Sequence, residues 1–496
     1  MPVLPDRPLI RRITRTALWC ASILAAVIAT IVLLRAFDAR GLPDLKPWHT
    51  LELAEEYRAG DDDVSTFEDY LALEARLFAE LDARVHHQEA PAAEVALDRY
   101  DPRSPSFPGR FPVNWNRSIE LRPDELRGGA LLLHGLTDSP YSFRSVAELL
   151  RDQGYYVLVP RLPGHGTIPA SLAAAEWRDW TAVVRLAARR VREVIGPDAE
   201  LLVGGYSNGG TLAVFHTVEM LEEDPGQAPD RLLLLSPAIG VSAAAAFASW
   251  HRMLSAIPYF EKFRWLSVRP EYDPFKYNSF PKNAGHASWL LTRELQGRLQ
   301  RAEAGGKLDG MPPVLVFQSL IDSTVFTESI AGELFERLPE GGHELVLFDL
   351  NRLGAIRQFL RERHQSLLQR LTSRADLAYT VTLITNDGTE SREVVERRRP
   401  PGGELGPGVR LGLFWPEQVY SLSHVAIPFP PGDPLYGDGS GRLDPVTPLL
   451  GSFRPRGEEG ILIVHMGQFM RLRYNPFFDY IEGRLNGTVR SEKQAG

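Results

Sequence analysis

Five residues near the middle of the chain, Gly205-Tyr206-Ser207-Asn208-Gly209, set a hydroxyl among glycines. The short apolar run 201–203 comes directly before them and the helical run 211–221 directly after. A serine oxygen can attack an acyl carbon when a sharp strand-to-helix turn makes it project from a sheet. Flanking glycines let the strand and helix backbones approach closely enough for such a turn. The start of the helix adds positive potential where negative charge would develop. The plainer alternative is a glycine-rich turn with an incidental serine, and a strand before with a helix after weighs against it.

A weak hydroxyl needs a base, and a tetrahedral intermediate needs donors for its oxyanion. The run Leu131-Leu132-Leu133-His134-Gly135-Leu136-Thr137-Asp138 fits the second need. Here a buried strand ends in His-Gly, after which the backbone N–H of Leu136 can aim at the same spot as that of Asn208. His134 reads as a loop-ordering residue rather than the base, because it precedes Ser207 in the chain whereas this type of site places its histidine last.

The order of Leu-Leu-His-Gly (132–135), Leu-Pro-Gly-His-Gly (162–166) and Gly-Tyr-Ser-Asn-Gly resembles the α/β-hydrolase superfamily, in its monoacylglycerol lipase, carboxylesterase and serine aminopeptidase branch. The resemblance covers about residues 129–338 well and the last third less closely. It implies that the acid follows the next-to-last core strand. The run 314–317 is followed by Gln318-Ser319-Leu320-Ile321-Asp322, so Asp322 is the matching carboxylate, with a helix cap for a segment near Thr327 as the alternative. The family places the histidine just after the last core strand. Residues 344–348 suit that strand, yet Asp349-Leu350-Asn351-Arg352 follows without a histidine. The best replacement is His424 in Ser421-Leu422-Ser423-His424-Val425-Ala426, which is similar to the family's histidine loop and keeps the order Ser207, Asp322, His424. His465 reads as a strand residue, His343 and His364 as exposed, and His165 as part of a pocket rim. His216, His251 and His286 read as surface or packing residues.

Positioning these groups requires alternating strands and helices. Short apolar runs at 130–133, 156–159, 201–203, 232–235 and 314–317, with helical segments between most of them, predict a mostly parallel sheet flanked by helices. Ligands in such sheets bind beyond the carboxyl ends of the strands. Residues 240–307 show many aromatics and no clear strand, and are expected to form a helical cap or an ordinary helical insertion with its own small core. A second insertion at about 353–422 precedes His424, with a candidate extra strand at 379–384 and a flexible loop at 397–408. The expected domains are 1–40, a cytoplasmic tip and membrane anchor; 41–110, a helical preamble and linker; and 111–496, the α/β-hydrolase domain. The acidic run 61–63 reads as a solvated cap.

A net charge of -8 argues against phosphate backbones and hence nucleic acid as partners. With Cys20 alone, no intramolecular disulfide forms. No H-E-x-x-H spacing and no P-loop occur, so neither a metal nor an organic cofactor is expected. Residues 16–34 carry no charge over 19 positions, roughly 28 Å as a helix and near the span of a bilayer core. This predicts a single-pass N-terminal transmembrane helix, with a cleaved signal peptide as its rival. Arginines before it place the amino terminus inside and the catalytic domain on the extracytoplasmic side. The chemistry expected is hydrolysis of a carboxylic, and more narrowly a lipid or acyl, ester through an acyl-enzyme. A serine peptidase, thioesterase or acyltransferase on the same triad is the first alternative. A catalytically inactive, membrane-tethered binding protein is the alternative of another class.

Overall fold

The computed structural model describes residues 7–41, 43–86, 97–240, 258–322, 324–354, 363–374, 376–417, 419–451 and 471–490. Its centre is a ten-stranded sheet in the order β1-β3-β2-β4-β5-β8-β9-β10-β11-β12. The strands are β1 (Ile119–Leu121), β2 (Gly128–Leu133), β3 (Tyr155–Val159), β4 (Glu200–Tyr206), β5 (Arg231–Leu235), β6 (Trp265–Ser267), β7 (Phe280–Pro281), β8 (Val314–Ser319), β9 (Glu344–Phe348), β10 (Thr380–Asn386), β11 (Glu393–Arg399) and β12 (Val409–Phe414). From β3 to β10 all neighbours are parallel, while β1, β11 and β12 pair antiparallel at the two ends.

The apolar runs of the sequence are strands buried on both faces, and their period of two sorts them into two cores. Leu131, Leu133, Val203, Leu234 and Leu347 point into one core, which the helices Trp177–Ile195, Asn208–Glu223 and Lys282–Ala304 complete. Leu132, Val157, Leu202, Leu233 and Phe348 point into the other, closed by the helix Arg144–Asp152 and the carboxyl-terminal helix Phe478–Arg490. Arg484 of that last helix reaches Glu344 on β9 at 2.6 Å.

The segment 353–422 is not simply a loop outside the sheet. Residues 379–384 contribute to β10, which lies parallel to β9, and β11 and β12 extend the edge further. The loop expected at 397–408 begins inside β11. Residues 240–307 hold a two-stranded piece, β6 with β7, besides the 23-residue helix Lys282–Ala304. This corrects the reading of a strandless segment; residues 241–257, with Trp250 and His251, lie outside the described residues.

The transmembrane anchor is also corrected. No helix among the described residues is long and apolar enough to cross a membrane. The single-pass membrane placement, the tether through the N-terminal helix and the extracytoplasmic location inferred from residues 16–34 therefore fall. A helix does run Arg7–Arg40, and its uncharged stretch lies between Arg15 and Arg35 and holds the hydroxyls of Thr16, Ser22 and Thr30. Two of the hydroxyls turn back onto the helix, Thr16 to the Arg12 carbonyl and Thr30 to that of Ala26.

The preamble is fastened to the sheet. Its helix Phe67–Arg84 opens with a Thr66–Asp69 capping box. Asp61 in the acidic run accepts from the Asp63 amide, as a turn residue does. Arg161, fully buried after β3, is held by Glu56 at 2.9 Å and Glu74 at 3.3 Å, and Glu74 also accepts from the hydroxyl of Ser118 at 2.7 Å. Removing Glu74 leaves Arg161 balanced by Glu56 but strands the hydrogen bonds of the Arg161 Nε and the Ser118 hydroxyl, a loss of about 2 kcal/mol. Glu74→Ala should therefore lower the free energy of unfolding by that amount, read on the full chain as a lower urea midpoint at an unchanged denaturant slope.

Candidate functional site

The turn after β4 carries Ser207 with φ 52° and ψ -116°, a region that side chains with a Cβ seldom adopt. Ser207 is half-buried, its amide donates to the Leu235 carbonyl at 3.0 Å, and its carbonyl accepts from the Ala238 amide at 3.0 Å. Two glycines permit the turn. A Cβ on Gly205 would collide with the Gly209 carbonyl, and one on Gly209 with the carbonyl oxygens of Leu133 and His134. The end of β2 and the start of the helix Asn208–Glu223 thus meet backbone to backbone.

That contact brings the loop 134–138 beside the turn. Among the described residues, the amides of Leu136 and Asn208 donate to no protein acceptor. Residues of the segment 276–288 brace both loops. The Tyr277 amide donates to the carbonyl of Thr137, itself at φ 68°, and Lys276 pairs with Asp138 at 2.7 Å. Ser288 on the cap helix donates to the side-chain oxygen of Asn208 at 2.8 Å. Nothing in the sequence singled out Lys276 or Ser288, because their partners lie over 70 residues away in the chain.

Asp322, buried behind β8, accepts the Thr324 amide at 2.8 Å and the Val325 amide at 3.1 Å on Oδ1. Its Oδ2 faces His424 Nδ1 at 3.3 Å, an ion-pair contact rather than an aligned hydrogen bond. The carboxylate is therefore a turn cap on one oxygen and the neighbour of an imidazole on the other. Burial alone would raise its pKa, but His424 and the two amides outweigh burial and hold it below the ordinary value. His424 opens the short turn His424–Ala426 and is half-buried. The hydroxyl of Ser319, at the end of β8, donates to the Leu422 carbonyl at 2.8 Å and ties this loop to the Asp322 side of the sheet. The structure thus joins Asp322 and His424. Ser207 Oγ makes no hydrogen bond among the described residues.

How His424 follows β9 is also visible. Asn351, just past β9, donates from its amide to Tyr420 and from its side chain to Val419, each at 2.9 Å. The two ends of the long excursion are therefore neighbours.

Other histidines are occupied elsewhere. His134 is buried with Nδ1 against the Gly135 carbonyl and Nε2 accepting from the Leu162 amide, and burial holds its pKa well below the ordinary value. It orders two loops. His165 is fully buried rather than at a rim, and burial lowers it to about 3. His343, expected at the surface, is buried and accepts the Val314 amide, because it sits where β8 and β9 begin. His465 lies outside the described residues, as does the side chain of His364. The cap aromatics Phe263, Trp265, Phe275 and Tyr277 are buried in packing, so their abundance is not itself evidence of an acyl pocket.

Residues 130–365 match the alpha/beta hydrolase family. The thermostable monoacylglycerol lipase of a Bacillus species is 37% identical over 87 residues, 18% of this chain. The match spans 34% of that relative's length. A structure from the work on LipS and LipT, two metagenome-derived lipolytic enzymes, is 25% identical with a TM-score of 0.38 over 48% of this chain and 89% of that one. The monoacylglycerol lipase of Paleococcus ferrophilus is 17% identical with a TM-score of 0.36 over 47% and 88%. With the sheet order and motif order above, the matched region has an α/β-hydrolase fold, and the chain resembles the monoacylglycerol-lipase branch of that superfamily.

The depressed Asp322 pKa carries a stability effect of known sign. It is present above the unfolded value near ~3.9 and is lost as pH falls through the lower folded value. Asp322→Asn should therefore be less stable than the parent at pH 7, and the difference should shrink as denaturation is repeated at successive pH values below about 4.

Proposed function

We propose that the protein is a serine hydrolase that cleaves carboxylic esters through an acyl-enzyme. The observation that carries this reading is the contact of Asp322 with His424 on loops that follow β8 and the long excursion, on the side of the sheet where Ser207 stands on its strained turn. Asp322 holds the imidazole by Nδ1, which leaves Nε2 to take the proton of Ser207 as its oxygen attacks the acyl carbon. The amides of Leu136 and Asn208 receive the oxyanion, aided by the start of the helix Asn208–Glu223. His424 then protonates the leaving alcohol, and water, activated by the same imidazole, releases the acid. At 3.3 Å the Asp322–His424 contact is loose, as such contacts often are before substrate binds.

Within this chemistry a lipid ester is the preferred substrate, and the likeness to a monoacylglycerol lipase over 87 residues supports it. An amide, thioester or acyl-transfer reaction would use the same three side chains and differ in the group that leaves.

A fluorophosphonate probe tests the nucleophile. Labelling should occur on the parent and vanish in Ser207→Ala, and kcat/KM on a monoacylglycerol should fall by about 10⁴-fold or more in Ser207→Ala and His424→Ala. An unlabelled but folded parent would favour a non-catalytic binding protein. Monoacylglycerols of graded chain length, assayed beside peptide amides, separate an esterase from a peptidase.

A further inference from the structure

A cavity of about 250 Å³ lies between the preamble helix and the residues leading to β1. None of Ser207, Asp322, His424, Leu136 and Asn208 lines it. Its walls include Phe78, Leu81, Tyr100 and Phe107, and two arginines, Arg99 and Arg117, face it. Arg99 is 2% exposed. One of its terminal nitrogens, Nη2, donates to the Asn116 side chain at 3.1 Å, while the other, Nη1, is buried with no hydrogen-bond partner among the described residues. Neither arginine has a carboxylate within ion-pair distance among the described residues. Arg99 instead lies over the rings of Tyr100 and Tyr277, and Arg117 lies 4.1 Å from the ring centre of Phe78.

Aromatic faces are a weak counter to a buried guanidinium, which ordinarily has an anion beside it. An acid on a neighbouring segment, Glu271, is spent on the amides of Asn278 and Ser279, and burial pushes its pKa up to about 7. Asp82 also lines the cavity, but it is paired with His86 at 2.7 Å. With Asp82 paired to His86 and Glu271 acting on Arg99 only from beyond ion-pair distance, the two guanidiniums offer a positive site to a ligand. The planar guanidinium fork suits a carboxylate held by two oxygens. The remaining walls mix the apolar Phe78, Leu81 and Phe107 with the polar Asn114, Asn116 and Thr167, and the volume lies below the ~300 Å³ at which ordinary ligand pockets begin.

We propose that this cavity is a second binding site, apart from the Ser207 turn, for a small organic monoanion: a carboxylate whose charge meets Arg99 and Arg117 and whose short apolar body lies against Phe78, Leu81 and Phe107. The site stands on the orphaned guanidinium and the cavity, and not on the chemistry proposed for Ser207.

Calorimetric titration of the full chain with hexanoate and with benzoate tests it, with inorganic phosphate as a separate arm. One saturable equivalent of a carboxylate is expected. Affinity should fall roughly tenfold or more in Arg99→Gln and measurably in Arg117→Gln. It should be lost in Leu81→Trp, which fills the cavity and keeps both charges. Thermal unfolding of each variant identifies any that no longer folds. The half-buried Arg117 is the substitution least expected to disturb the fold. No saturable carboxylate binding by the parent overturns the proposal, as does tighter binding of phosphate than of either carboxylate. Affinity unchanged in folded Leu81→Trp and Arg117→Gln overturns it equally, because the ligand would then sit elsewhere.

Discussion

The last carbonyl of β2 and the first turn of the helix Asn208–Glu223 approach so closely that only glycine fits at 209. Everything about the site's geometry follows from that backbone contact. It sets the loop after β2 beside the turn after β4, so that the Leu136 and Asn208 amides lie on neighbouring loops. It also forces Ser207 into a backbone conformation that costs of order 1–3 kcal/mol and persists only where its surroundings over-determine it. Those surroundings are evident: Leu235 and Ala238 grip the Ser207 backbone from the β5 side, and β4 lies fully buried between β2 and β5.

The departure at β9 has a physical resolution. The resemblance led to a histidine loop directly after this strand, and here the chain first leaves to add β10, β11 and β12 to the sheet before it returns. Asn351 clasps Val419 and Tyr420, so departure and return coincide in space and the loop carrying His424 starts where an uninterrupted chain would have placed it. Closing a longer loop costs little extra, since the entropy rises only with the logarithm of its length. The added strands recover ladder hydrogen bonds, and β10 gains full burial against β9.

The parts of the molecule legible in the sequence were those whose patterning is local. Doubly buried strands such as β2 and β4 are continuous apolar runs, and the glycine-bracketed serine carries its own context. β11 and β12 were missed because they form an edge: β11 reads Glu-Val-Val-Glu-Arg-Arg-Arg and β12 alternates between exposed and half-buried positions, so neither shows a buried run. His343 reads as a surface residue after two glycines, yet the fold turns it inward under β8. The cap's grip on the donor loops had no local signal, since Lys276, Tyr277 and Ser288 are ordinary residues until the fold supplies Asp138, Thr137 and Asn208.

That grip changes the meaning of the cap. A covering segment that merely roofed a pocket could shift without disturbing the amides beneath. This one bonds to the loop after β2 through Lys276 and Tyr277, and to the helix start through Ser288. The Tyr277 hydroxyl also accepts the Thr167 amide and donates to the Gly164 carbonyl, fixing the Leu-Pro-Gly-His-Gly loop from the same residue. His134 joins that loop to the end of β2 from below. Three loops that follow three different strands are thus cross-braced by side chains, and the loops carrying the Leu136 and Asn208 amides are tied to the segment 276–288. Preorganisation of this kind is what lets hydrogen-bond donors stabilise developing charge without rearranging when it appears.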